Sequence, residues 1–327
     1  MESQQEISID GTLVGLTLAA VLKRKFEGQS WTQVRQVIES RKVLVNQTLC
    51  MDEARRLMAG DRVTIVGKSR PQLPKREDLA VLHLDEHLII VDKPAGLLAE
   101  RRWEERGWSQ DRKSRQPTLD ELLRPIVRSR WRTMFPHRES ARTLPEVFSV
   151  HRLDRETSGL MLYALSGIAQ QTLIRDFAAH TVKRKYLAVV MGHPKTRTIR
   201  SWLVRDRGDG LRGSLREGQS DEAAQEAITH IRPVERLGKY SLIECQLETG
   251  RTHQIRIHLA ETGHMLCGEK LYTHVLGAAP MEDVSGAPRS ALHSCELHVV
   301  HPVTGKPLHF ASPLPQDLMR WLEGLRE

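Results

Sequence analysis

The sequence predicts an α+β chain: a small α/β module over residues 1–68, a linker over 69–78, and a larger domain over 79–327. Three observations lead there. Within the first 67 residues two helical patterns precede two short β-branched runs, enough for a unit with its own core. The stretch GKSRPQLPKRED, residues 67–78, is rich in proline and basic residues and reads as a connection that lets two domains move. Beyond it, apolar strands and amphipathic helices alternate without a repeat, which suits mixed and antiparallel strand pairing.

The elements follow in order. Leu16, Ala19, Ala20 and Leu22 supply one face of a first helix, and Ser30 with Gln33 forms a capping box for a second, whose buried stripe is Val34, Val37 and Ile38. Residues 43–46 and 63–66 read as strands around a Gly60-Asp61 turn. After the linker, residues 79–84 and 88–91 form a hairpin that ends in the turn Lys93-Pro94-Ala95-Gly96. The pattern loosens over 100–149, a basic, atypical insertion in which Trp103, Trp108 and Trp131 sit among arginines. Thr118 and Glu121 box the start of a helix there, which Pro125 should shorten or bend. Ser166 caps a helix running through Phe177; residues 185–190 and 242–247 are strands, and residues 251–261 a helix.

Charge narrows the partners. Lys and Arg number 49 against 41 acidic residues, a net +8 with a pI near 9.5, which favours a polyanion but fits any basic soluble protein. The uneven spread is more telling: residues 101–142 hold twelve Lys or Arg and six Asp or Glu. Such an Arg and Trp mixture grips RNA through phosphates and stacked bases, or is merely an exposed insertion. No apolar run approaches the ~18 residues of a membrane span, and MESQQEISID has no signal-peptide pattern, so no membrane partner and a cytoplasmic location are expected. Cys50, Cys245, Cys267 and Cys295 are scattered without a CxxC pair, against both a zinc knuckle and a disulfide framework.

Several motifs fail their context. Residues 208–213 match GxGxxG but run into polar loop, not a helix. The histidines near Glu261 and those at 293, 298 and 301 lack the spacing that sets two ligands and a base on one helix face, so no metal is expected. Ser158 lacks the GxSxG elbow, and no Walker loop occurs.

Residues 151–162, HRLDRETSGLML, carry the chemistry. Asp154 lies between Arg152 and Arg155, which favour its ionised form, and the apolar run from Gly159 is buried strand that fixes it. A fixed anion of this kind is either a structural ion pair or a catalytic group.

This segment resembles the active-site motif of the RluA-type pseudouridine synthases. The resemblance continues in order through HLIIVDKPAGL (87–97), KRKYLAVVMG (183–192), LETGRTHQIRIHLA (247–260) and LHSCELHVVHPVTGKPLHFASPLPQDL (292–318). It departs after KPAGL, where the family has His-Pro and this chain reads Leu98-Ala99-Glu100-Arg101. RKVLVNQ followed by AGDRVTIV is similar to an S4-like RNA-binding domain, within which Trp31, Arg35, Arg41 and Lys42 would meet RNA, unless they form a solvated helix face with Trp31 in the core. The resemblance implies a central mixed, largely antiparallel sheet flanked by helices, and an isomerase that turns uridine in RNA into pseudouridine. It implies Asp154 as the catalytic carboxylate, attacking C1′ or deprotonating the sugar, and Arg251 as its ion-pair partner. Tyr186 would stack on the uracil and help remove the C5 proton, and Arg152 would fill the vacated stack or hold the flipped nucleotide. The reaction needs no redox step or external reactant, so no cofactor is expected, and the protein should act as a monomer. The S4-like module implies large-subunit ribosomal RNA as target, with tRNA, or a non-catalytic RNA-binding or ribosome-assembly role, as alternatives.

Overall fold

The computed structural model describes residues 5–46, 48–70, 72–134, 144–216 and 218–326. The chain divides into two compact units, residues 1–73 with 102–117, and residues 74–101 with 118–327.

In the first unit β1 (Gln5–Ser8), α1 (Leu18–Lys25), α2 (Trp31–Glu39), β2 (Val43–Val45), β3 (Thr48–Leu49) and β4 (Arg62–Ile65) build an antiparallel sheet of order β1-β4-β2-β3. Both helices share one apolar core with it. The capping box forms in full: Ser30 Oγ accepts from the Gln33 amide at 3.2 Å, and Gln33 Oε1 accepts from the Ser30 amide at 2.6 Å. Thr17 caps α1, so Leu16 precedes the helix yet packs against the same core. β1 was not legible, because Ile7 is its single buried side chain.

The unit is completed by α3 (Gln110–Arg115), from the stretch expected to be an insertion of the larger domain. An ion pair explains its attachment: Asp52 accepts from the Ala54 amide and from the Arg112 guanidinium, which also lies 3.9 Å over the Trp108 ring. The expected 100–149 insertion is thus divided, since residues 118–134 join the second unit. Residues 135–143 lie outside the described residues.

The second unit contains β5 (Ala80–Leu84), β6 (Leu88–Lys93), α4 (Leu119–Met134), β7 (Phe148–Ser149), β8 (Ser158–Ala164), α5 (Gly167–Ala178) and β9 (Lys183–Met191). β10 (Arg197–Val204), β11 (Gly213–Ser214), β12 (Gln225–Leu237), β13 (Tyr240–Leu247), α6 (Gln254–Glu261), β14 (Leu292–Val300), β15 (Pro307–Ala311) and α7 (Gln316–Arg326) follow. Its strands form one sheet of order β11-β10-β12-β13-β9-β14-β8-β6-β5, with β15 on β14 and β7 on β8. Every pairing is antiparallel except β8 with β14, so the sheet is mixed and largely antiparallel as expected.

That parallel join explains a glycine of the central motif. Gly159 has φ +112, and a Cβ there would lie 2.2 Å from the Ser294 carbonyl oxygen of β14. Only glycine lets the two backbones meet. β8 beyond it is buried throughout, as its apolar run predicted.

α4 runs on through Pro125, against expectation. Leu119, Leu123, Val127 and Trp131 are buried one turn apart in the main core, whereas Pro125 is exposed on another face. Burying such side chains contributes ~1.5–3 kcal/mol each, which outweighs the ~3 kcal/mol cost of an interior proline. Trp131 is therefore core. Among the described residues no helix is long and apolar enough to cross a membrane.

Candidate active site

The loop before β8 is held from several directions. Lys93, fully buried, donates from Nζ to the carbonyls of Pro94, Leu97 and Arg155 at 3.1, 2.9 and 3.0 Å, three acceptors for the three protons of an ammonium. Burial pulls its pKa down to about 7, and the Glu156 and Asp154 carboxylates resist that fall. Arg289, paired with Asp317 at 2.7 Å, reaches the Glu156 carbonyl at 3.2 Å and Ser158 Oγ at 3.1 Å. His151 accepts the Leu162 amide proton through Nε2 at 3.0 Å; burial and the nearby Arg184 lower its pKa to about 3, so it stays a neutral acceptor. The backbone is thereby fixed on both sides of Asp154.

Arg152, Asp154, Tyr186 and Arg251 all line one cavity of about 580 Å³. The expected partner of Asp154 is different, however. Arg256, in the first turn of α6, brings Nη1 to 3.5 Å from Asp154 Oδ2, whereas Arg251 donates from Nε to the Glu226 carbonyl at 3.0 Å. The cause is local: α6 starts at Gln254, not at residue 251, and His253 before it is left-handed at φ 59. The turn that faces the carboxylate therefore presents Arg256.

Further charges aim that arginine. Glu269 binds Arg256 bidentately, Nε at 2.7 Å and Nη2 at 2.6 Å, leaving Nη1 for Asp154. Glu269 is itself held by the amides of Lys270 and Leu271 at 3.0 and 2.9 Å. Burial opposes both charges, but their mutual pairing keeps Glu269 below the ordinary carboxylate range and Arg256 above its own. On the other side His253 Nε2 stands 3.7 Å from Asp154 Oδ1, and its Nδ1 lies 2.7 Å from the Tyr272 hydroxyl. Burial lowers the His253 pKa against the pull of Asp154. A neutral imidazole that accepts the Tyr272 proton at Nδ1 carries its own proton on Nε2, facing the carboxylate.

Tyr186, on β9, is 4% exposed, and burial raises its phenol pKa. It therefore stands as a neutral phenol, suited to stacking and hydrogen bonding. Arg152 is exposed at the same cavity. None of Lys93, Arg256, Glu269 or Arg289 was expected as a site residue, although KPAGL and HQIRIH contain the first two.

The candidates in the first unit lie on α2 and just after it. Trp31 is 51% exposed, so it is not core. Arg35 pairs with Glu53 at 2.8 Å. Arg41 has left-handed backbone at φ 59 and donates from Nε to the Arg70 carbonyl at 2.8 Å, and Lys42 is partly buried beside it. Among the described residues, the one group of ligating side chains close enough for an ion is Glu296, His298 and His309, where Lys185 already donates to Glu296 at 3.0 Å.

A family model described as RNA pseudouridylate synthase matches residues 87–261, a stretch that includes the cavity's four expected residues and Arg256. The chain belongs to the RNA pseudouridylate synthase family. It is thus an isomerase that acts on RNA. A relative from Xanthomonas campestris pv. campestris, named ribosomal large subunit pseudouridine synthase D, is 34% identical over 261 residues, covering 78% of this chain and 71% of its own. One of the same name from Xylella fastidiosa is 32% identical across 99% of this chain and 93% of its own. The solved structure of human RNA pseudouridylate synthase domain containing 4 shares the fold, with a TM-score of 0.57 at 21% identity, over 76% of this chain and 93% of that one.

Proposed function

We propose that this pseudouridine synthase isomerises specific uridines of large-subunit ribosomal RNA, with Asp154 as its catalytic carboxylate. The observation that carries the reading is the convergence of Asp154, Tyr186 and Arg152 in one cavity with an arginine on the carboxylate. Asp154 attacks C1′, or takes a proton from the sugar, as the N1–C1′ bond breaks; the uracil then turns and C5 joins C1′ as the Asp154–C1′ bond breaks or the proton returns to the sugar, after which C5 loses its proton and N1 gains one. Arg256 keeps the carboxylate charged and oriented. Tyr186 lies against the uracil, and Arg152 enters the gap left by the flipped nucleotide. No cofactor takes part.

Ribosomal RNA is favoured because relatives covering nearly all of this chain carry large-subunit names. The first unit serves as an S4-like RNA-binding module through Trp31, Arg35, Arg41 and Lys42. Residues 102–117 extend it, offering Trp103, which is 77% exposed, for base stacking. The enzyme works as a cytoplasmic monomer.

Pseudouridine mapping of ribosomal and transfer RNA from cells with and without the gene tests this reading. One or more large-subunit sites should vanish on deletion and return with the wild-type gene but not with Asp154→Asn. Loss confined to tRNA overturns the target, and loss restored by Asp154→Asn overturns the catalytic assignment.

A further inference from the structure

β9 directs two side chains of the same sheet face toward the cavity, Tyr186 and, two residues earlier, Arg184. Arg184 is only 7% exposed. Among the described residues no carboxylate lies within ion-pair distance of it, and its buried Nε has no hydrogen-bond partner. Its guanidinium makes a cation–π approach, 5.3 Å from the Phe177 ring. The other buried arginines of this unit differ: Arg101 is bound by Glu121, Arg207 by Asp209, and Arg289 by Asp317. Two carboxylates line the cavity: Asp154 is engaged by Arg256 and faced by His253, and Glu100 is not within ion-pair distance of Arg184.

A buried guanidinium without a counter-ion costs several kcal/mol, so the fold is more stable without it unless a ligand supplies the charge. Room is also kept for it. A Cβ on Gly250 would lie 2.6 Å from Arg184 Nη1, which accounts for a glycine whose backbone needs no positive φ. Whatever ligand enters this cavity beside Asp154 and Tyr186 thus meets a planar, anion-seeking fork.

We propose that Arg184 is a phosphate subsite of the active site, binding the phosphodiester that flanks the target uridine once that nucleotide occupies the cavity. This rests on the reading of the cavity as the uridine site and names the group that holds the RNA backbone there. RNA offers one kind of anionic group, and a guanidinium meets two phosphate oxygens at once. Arg184 touches no reacting atom in this account; it contributes binding and register.

The test uses the full chain, with uridine, uridine 5′-monophosphate and uridine 3′-monophosphate as calorimetric probes and thermal melting in phosphate-free buffer. The wild type should bind one of the monophosphates roughly tenfold tighter than uridine, the worth of a charge-assisted hydrogen bond. Arg184→Met should abolish that preference while melting no lower than the wild type, because an uncompensated charge has been removed. Gly250→Ala, which displaces the guanidinium at unchanged net charge, should also reduce the preference. A wild type that does not distinguish the nucleotides, a preference retained in Arg184→Met, or a fall of several degrees in its melting temperature would each overturn the proposal, the last by marking Arg184 as structural. These readouts need no turnover, so their failure leaves the isomerase reading standing. Conversely, loss of isomerisation chemistry with the preference intact would overturn only that reading.

Discussion

At the scale of single residues, the carboxylate is defined by what surrounds it. Asp154 has one oxygen toward Arg256 and the other toward His253, so each has a different polar neighbour. Because Glu269 occupies one edge of the Arg256 guanidinium through two nitrogens, Arg256→Gln should weaken the hold on Asp154 and leave Glu269 buried without its partner. Loss of a hydrogen bond to a charged group, ~1.5–3 kcal/mol, predicts a fall in single-turnover rate of roughly 10- to 100-fold. Arg251→Gln should cost less, since that side chain bonds a backbone carbonyl and not the carboxylate. Single-turnover kinetics on one RNA substrate separate the two, and a larger loss in Arg251→Gln would reverse the assignment. The resemblance carried Arg251 to the pairing position, but the helix starts at Gln254 after a left-handed His253 and presents Arg256 to the loop instead.

At the scale of elements, the catalytic loop depends on the close approach of β8 and β14. Gly159→Ala places a methyl group against the Ser294 carbonyl and forces an unfavourable φ, which should destabilise the fold by about 2–5 kcal/mol. Denaturant melts measure this directly; a change below about 1 kcal/mol would mean that the join yields easily. Much at this scale was readable in advance. The capping box at Ser30, the hairpin of β5 and β6, and buried β8 follow from nearest-neighbour chemistry and apolar runs. What escaped depends on partners distant in sequence, such as Arg289 on Glu156, Lys93 on Arg155, and the Arg112–Asp52 pair that draws α3 to the first unit. α4 exceeded its expected length because its buried stripe outweighs a proline that periodicity alone could not discount.

At the scale of the whole molecule, buried histidines contribute to the loss of stability in acid. His151 and His258 have pKa values of about 3 and about 4, lowered by burial and a neighbouring arginine from 6.5. Between those values and 6.5 the unfolded chain binds protons that the folded chain refuses, so stability falls as pH drops through that window and is unaffected by these groups above it. Urea titrations from neutral pH downward should show the decline, and His151→Gln should flatten its lower part; an unchanged slope would contradict the assignment. The net +8 predicts RNA affinity that drops steeply with salt, whereas salt-independent binding would refute phosphate contacts as its main source. The central claim is that Asp154 isomerises uridine in RNA. It is tested most directly by release of tritium from C5 of labelled uridine in large-subunit ribosomal RNA taken from cells lacking the gene. The wild type should release tritium while Asp154→Asn binds the same RNA and releases none; release by Asp154→Asn at the wild-type rate, or none by the wild type, would contradict the account.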